Sequence, residues 1–133
     1  MAVRYYYARS AMIDSQIGVL YAALEASGQL DNTVIIFTAD HGETLGSHGG
    51  LLDKGWHHFE ETHQIPMIVR MPDGASAGKR RDELVSLADV YSTVLDLAGD
   101  CSGDHPSHGR SLMPLVRDEP IEWLSLIHIS EPT

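Results

Sequence analysis

The chain has 133 residues, enough for one small domain at most. At 43% hydrophobic and 21% charged it has the balance of a globular protein, and no apolar run is long enough to span a membrane. A formal net charge of −10, with only 9 Lys and Arg, argues against nucleic acid as a partner, because phosphate contacts need clustered cations.

Tyr5–Ser27 has helical periodicity. Tyr6, Ile13, Ile17, Leu20 and Leu24 fall on one face, and Met12, Val19 and Ala23 widen it. Gly28 is a natural stop, and Asp31-Asn32 make a turn before an apolar, β-branched run that predicts a strand over Thr33–Thr38. A Gly-rich loop, Gly42–Gly55, follows. Trp56–His63 reads as one or two helical turns, and Ile65–Arg70 as a second strand with Pro66 near its start. Met71–Arg81 is an exposed loop in which Arg70, Arg80 and Arg81 read as solvated charge. Ser86–Ala98 predicts a helix opened by a Ser86/Asp89 capping box and closed by Gly99, with Val90, Val94 and Leu97 as its buried stripe and Leu87 and Tyr91 beside it. Asp100–Gly109 is a loop, and Ser111–Val116 is a short apolar patch. The order helix–strand–loop–strand–helix is an α/β pattern, and two strands are few for a sheet.

Cys101 is the only cysteine, so no intrachain disulfide forms, and its loop context gives it no catalytic role. Met1–Ser10 carries Arg4 and Arg9 but no apolar core of a signal peptide, which leaves the compartment open between cytoplasm and periplasm. The oligomeric state is equally open.

Chemistry concentrates in residues 38–55. Asp40 and His41 come just past the C-terminal end of the first strand, where ligand sites collect in open α/β sheets. Asp40 offers a hard oxygen and His41 a neutral nitrogen, and a turn at Gly42 lets both reach one metal ion. An oxygen donor suits Ca²⁺ or Mg²⁺, and an imidazole admits Mn²⁺ or Zn²⁺. Lys54 brings a positive charge to the same region, as for binding an oxyanion. An Asp-His-Gly alone equally describes a turn with a capping Asp, so its context decides.

That context is Asp40-His41-Gly42-Glu43-x-Leu45-Gly46-x-His48-Gly49, then Lys54-Gly55, Glu60-Glu61 and Ile65-Pro66-Met67-Ile68-Val69. It resembles the sulfatase family of the alkaline-phosphatase superfamily. The flanks agree: the Tyr-Tyr-Ala helix with Asp14-Ser15-Gln16-Ile17-Gly18, the helix of Val85–Gly99, and Gly109-Arg110-Ser111-Leu112 before Pro114-Leu115. The likeness runs from Tyr5 to Trp123. It implies an incomplete sulfatase-type α/β sandwich, helices on a mixed sheet, truncated at both ends and occupying residues 1–123. It implies a hydrolase of small-molecule sulfate monoesters that uses a divalent metal, commonly Ca²⁺, and a formylglycine nucleophile made from a Cys or Ser. Asp40 and His41 match metal ligands of the family, and Lys54 matches its sulfate-contacting, leaving-group lysine. Many members carry Asn where His41 stands. The Asp-His version looks more like choline-sulfatase-type enzymes and phosphonate or phosphodiester hydrolases.

Blander roles go to the rest. His48 lines the pocket or simply shapes the loop. Glu43 is a metal-proximal or loop carboxylate, Glu60 and Glu61 orient the loop, and His57, His58 and His63 sit at a surface or rim. The chain departs from the family in lacking the Cys/Ser-x-Pro-x-Arg nucleophile motif and the upstream acidic ligands, so the chain alone is expected to be inactive and to bind metal weakly. Leu124–Thr133 resembles the in-frame translation of a sequencing adapter and is expected to be a non-native tail. Competing readings are a phosphonate or phosphodiester hydrolase, a phosphoethanolamine transferase, which usually has His-Gly where Lys54-Gly55 stands, and a non-catalytic module.

Overall fold

The computed structural model describes residues 2–52, 54, 57–100 and 107–123. Cys101 and the tail 124–133 lie outside them. The elements run α1 (Ala2–Ala26), a 3₁₀ turn (Leu30–Asn32), β1 (Ile35–Thr38), α2 (Ser47–Gly50), α3 (Glu60–His63), β2 (Met67–Arg70), α4 (Leu87–Leu97) and α5 (Met113–Val116). The chain divides into two compact units, Met1–Gly74 and Ala75–Thr133.

In the first unit β1 and β2 pair antiparallel, Ile35 opposite Arg70 and Thr38 opposite Met67. Both strands are shorter than the sequence pattern predicts. Val34 precedes β1, and Pro66, which has no N–H to give a ladder, precedes β2. Of the mixed sheet expected, this pair is what the described residues contain. Arg70 is not solvated charge. Its guanidinium donates to the carbonyls of Leu30 (2.9 Å) and Thr33 (3.3 Å), and it lies 5.8 Å from the Tyr21 ring centroid. It thereby ties β2 to the turn that leads into β1.

Helix α1 forms as expected and ends where Gly28 adopts φ +68°. Its apolar face, however, is not buried. Tyr6, Ile13, Ile17 and Leu20 are exposed and Leu24 is half-buried. The element α1 chiefly meets is the 3₁₀ turn beyond its own C-terminus, so its stripe has no opposing layer among the described residues.

In the second unit the capping box is present. Asp89 Oδ2 accepts the Ser86 N–H at 2.6 Å. Of the predicted aliphatic stripe of α4, Val90 and Leu97 are half-buried and Val94 is exposed, as are Leu87 and Tyr91 beside it, whereas Asp89 and Thr93 are buried. Asp89 Oδ1 accepts the Arg110 N–H at 2.8 Å, and Thr93 Oγ1 accepts the Leu112 N–H at 2.8 Å. Two polar side chains four residues apart thus satisfy backbone donors of segment 109–112, and full pairing permits their burial. That seating delivers Leu112, Met113 and Leu115 to the core. Gly109 is part of the fit, because a Cβ there would overlap the Ala88 carbonyl and lie 2.6 Å from Asp89 N. The apolar patch 111–116 closes as α5, with Pro114 in its first turn, where a missing N–H costs nothing.

Asp118 follows α5 with φ +62° and receives both the Lys79 ammonium and the Arg81 guanidinium, the latter at 2.6 Å. Arg81 is therefore paired. The Lys79 hydrogen bond, and next the Arg81 one, lower the Asp118 pKa from 3.8 to about 2. A depressed carboxylate stabilises the fold above its unfolded pKa, and that contribution is lost as pH falls through the folded value. The stability gap between wild type and Asp118→Asn is accordingly expected to hold at neutral pH and to shrink as pH falls from 3.8 to about 2. Urea unfolding at several pH values measures this, and a gap independent of pH would refute the linkage. The gap itself is expected to be small, since exposed pairs contribute little.

Candidate functional site

β1 ends at Thr38, and the chain leaves the sheet through Ala39 to Asp40 and His41, both exposed. The two side chains converge as expected. His41 Nε2 lies 3.4 Å from Asp40 Oδ2, while Asp40 Oδ1 accepts the His41 N–H at 2.9 Å. His41 Nδ1 is 2.9 Å from the Gly42 carbonyl oxygen. A carbonyl only accepts, so Nδ1 carries a proton, and Nε2 faces the Asp40 carboxylate. Two acceptors facing one another repel unless a proton or a cation lies between them. Metal–nitrogen and metal–oxygen bonds of about 2.0–2.4 Å place neighbouring donors roughly 3 Å apart, so the doublet fits two adjacent positions around one divalent ion. Among the described residues no group of three or more His, Cys, Asp or Glu is placed to hold a metal.

Gly42 sets this geometry by closeness. Its φ is not in the left-handed region, contrary to the expectation that the glycine supplies turn freedom. Its N–H donates to the Thr62 carbonyl (3.0 Å), the Glu43 N–H donates to the Glu61 carbonyl (3.0 Å), and a Cβ on Gly42 would overlap the Glu61 oxygen. The segment after the doublet is thus laid directly on the backbone of α3. Glu43 points back to its own neighbour, accepting the Thr44 N–H at 3.0 Å. Thr44 is buried and donates to the Leu51 carbonyl at 2.7 Å, which closes the Gly-rich loop.

His48 sits in that loop with φ +52°. Its ring stacks on Phe59 (centroids 3.6 Å apart, planes within 8°), and its Nε2 is 3.1 Å from Glu61 Oε2. A hydrogen bond at its own backbone, and then the one to His48, hold the Glu61 carboxyl below the ordinary range. Glu61 therefore orients the loop, as expected, and His48 is the group it grips. The Phe59–His48–Glu61 arrangement is not visible in the sequence, where the three are only polar or aromatic residues at unremarkable spacing. Lys54 is exposed, and its neighbours Asp53, Gly55 and Trp56 lie outside the described residues.

The family model described as Sulfatase matches residues 2–100. The chain belongs to the sulfatase family. It is 37% identical over 126 residues to an N-acetylglucosamine-6-O-sulfatase of Bacteroides thetaiotaomicron, covering 91% of this chain and 22% of that relative. The crystal structure of a phosphonate monoester hydrolase of Agrobacterium radiobacter superposes with TM-score 0.74 at 32% identity, over 86% of this chain and 22% of that one. A further solved structure, determined with its substrate D-glucosamine-2-N,6-O-disulfate, gives TM-score 0.73 at 37% identity over 84% of this chain and 23% of that one. The α/β fold is therefore that of the sulfatases and phosphonate hydrolases, and this sulfatase chain spans 22% and 23% of those two solved structures.

Proposed function

We propose that this sulfatase chain supplies one side of the active site of a metal-dependent hydrolase of small-molecule sulfate monoesters, in which the attacking group is a formylglycine carried by a segment other than this chain. The observation that carries the reading is the Asp40–His41 doublet, two converging donors 3.4 Å apart at the end of β1 in a chain of this family. Asp40 and His41 hold the divalent ion, Ca²⁺ by the family's habit, with Mn²⁺, Mg²⁺ or Zn²⁺ also suited to an oxygen–nitrogen pair. When bound, such an ion supplies Lewis-acid charge to a sulfate oxygen. The Gly42 carbonyl keeps Nε2 of His41 free to ligate, by holding the proton on Nδ1. Lys54 binds the sulfate and places its ammonium near the ester oxygen, where negative charge grows as the S–O bond breaks. His48, held by Phe59 and Glu61, shapes the wall of the sulfate pocket.

The test is turnover by the intact protein on paired sulfate and phosphonate monoesters, including a 6-O-sulfated glucosamine, the substrate type in the name of a relative. Preference for the sulfate supports the reading, and exclusive phosphonate hydrolysis overturns it. That second reading, a phosphonate monoester hydrolase, is kept because such an enzyme matches at TM-score 0.74, beside 0.73 for the structure with the sulfated sugar. On either substrate Lys54→Ala is expected to lower kcat by about 10²–10³-fold, the loss typical of removing one group that stabilises developing charge. An unchanged kcat would remove Lys54 from the mechanism.

A further inference from the structure

Between Asp40–His41 and Lys54 in the sequence lies a loop, residues 44–51, closed by its own bonds. The buried Thr44 hydroxyl (2.7 Å) and the Gly46 N–H (2.8 Å) both donate to the Leu51 carbonyl. The Ser47 N–H donates to Thr44 O (2.9 Å) and the Leu51 N–H to Ser47 O (3.0 Å). The loop holds a sparsely populated conformation: Leu45, Gly46, His48, Gly49 and Gly50 all have φ between +50° and +96°. Leu45 and His48 carry a Cβ into that region, which costs energy that glycine avoids. Such a conformation persists only where the surroundings over-determine it.

The surroundings here are Phe59 and Glu61. The face of the His48 ring lies on Phe59 and its Nε2 meets Glu61 Oε2 at 3.1 Å. An ion pair this exposed contributes little alone. Together, the stack fixes the plane of the ring and the carboxylate fixes its edge, so the ring can neither tilt nor turn. Glu61 has a second handle. Its backbone carbonyl accepts the Glu43 N–H at 3.0 Å, two residues after His41. One residue of α3 thus seats the segment that carries the doublet by its backbone and the tip of the loop by its side chain. Lys54 follows Leu51 by three residues, which span at most about 11 Å of chain. A loop that swings therefore carries Lys54 with it.

We propose that Glu61 is a positioning residue: its carboxylate, with the Phe59 ring, clamps His48 and so holds the loop 44–51, and Lys54 beyond it, in one orientation relative to Asp40 and His41. The inference rests on the role proposed above for Lys54. It adds that the strain of the left-handed residues is balanced by the clamp, so that freeing His48 lets the loop relax away from the catalytic arrangement. The two handles of Glu61 separate cleanly, because a side-chain substitution leaves its carbonyl, and the bond to Glu43, in place.

Glu61→Ala in the intact protein is expected to lower kcat on a sulfate monoester by roughly tenfold to a hundredfold, the latter being the loss that a misplacement of about 1 Å brings. Glu61→Gln, whose amide oxygen still accepts from Nε2, should recover most of it, and Phe59→Ala should fall in the same direction as Glu61→Ala. In a Lys54→Ala background Glu61→Ala should cost less than about twofold, because the group it positions is gone. The chain by itself gives an independent readout. In Glu61→Ala the amides of Gly46 and Leu51 should exchange roughly tenfold faster, while far-UV circular dichroism and the Mn²⁺ broadening of the His41 ring signals stay unchanged. Wild-type kcat or wild-type exchange in Glu61→Ala, losses that multiply in the double variant, or loss of the Mn²⁺ broadening overturns the proposal and leaves the role of Lys54 standing. Wild-type kcat in Lys54→Ala overturns both.

Discussion

Asp40→Ala, introduced into the intact sulfatase, is expected to lower turnover of a sulfate monoester by about a thousandfold, and His41→Ala to do the same. The magnitude follows from what is removed. Metal charge at a reacting oxygen contributes several kcal/mol to the transition state, and each 1.36 kcal/mol is tenfold in rate. Either substitution halves the doublet, since Oδ2 of Asp40 and Nε2 of His41 are the two atoms that face one another. The fold has little stake in them: both side chains are exposed, and their bonds reach only each other's residue or Gly42. Thermal unfolding in the absence of metal should therefore barely change. The chain by itself offers a second readout, because Mn²⁺ should broaden the His41 ring signals in the wild type and leave them sharp in Asp40→Ala. His41→Asn, which keeps a polar donor at the position many sulfatases fill with Asn, should lose less than His41→Ala. If Asp40→Ala retains full turnover and full Mn²⁺ broadening, the doublet is a turn and its capping acid.

Gly42→Ala is expected to cost as much activity for a different reason, and to cost stability as well. A Cβ at this position would overlap the Glu61 carbonyl oxygen, lie 2.9 Å from its carbon and 3.1 Å from Thr62 Cα. All three obstacles are backbone, so no side-chain rotation relieves them. The segment must lift off α3, which breaks the bonds from Gly42 N–H to Thr62 and from Glu43 N–H to Glu61. Two lost hydrogen bonds at about 1 kcal/mol each, together with the displacement itself, give an expected loss of about 2–4 kcal/mol. The Gly42 carbonyl that orients the His41 ring moves with them, so metal retention should fall too. Gly46→Ala is the instructive comparison. It meets nothing within 4 Å, but its φ of +96° strains any residue with a Cβ, so it should destabilise without touching the doublet. Urea unfolding and Mn²⁺ binding of the two variants separate a clash at the site from strain in the loop, and a Gly42→Ala protein as stable as wild type would show that the segment does not rest on α3.

Much of this was legible in the chain, and the limits have physical causes. Element type came through wherever a local rule acts alone: the periodic run of α1, its Gly28 stop, and the acid half of the capping box at Asp89 all report on residues within four positions of one another. Burial did not. The aliphatic stripe of α4 was the natural candidate for the core, yet Val90 and Leu97 are only half-buried and Val94 is exposed, while Asp89 and Thr93 are fully buried, because the N–H groups of Arg110 and Leu112 await them there. A pattern of hydropathy carries no record of a backbone donor some twenty residues away, and the same blindness took Arg70 and Arg81 for solvated charge.

By itself, then, the sequence determined the sulfatase membership, the run of helices and strands, and the position of Asp40 and His41 just beyond β1, since these depend on residue identity and short spacing. Only the tertiary structure decided which atoms of the doublet meet, why residue 42 admits no side chain, what holds His48, and that His58 pairs with His63. Each of these is a distance between groups whose separation along the chain says nothing of their separation in space, and it exists only once the backbone of α3 has been laid against the loop that follows β1.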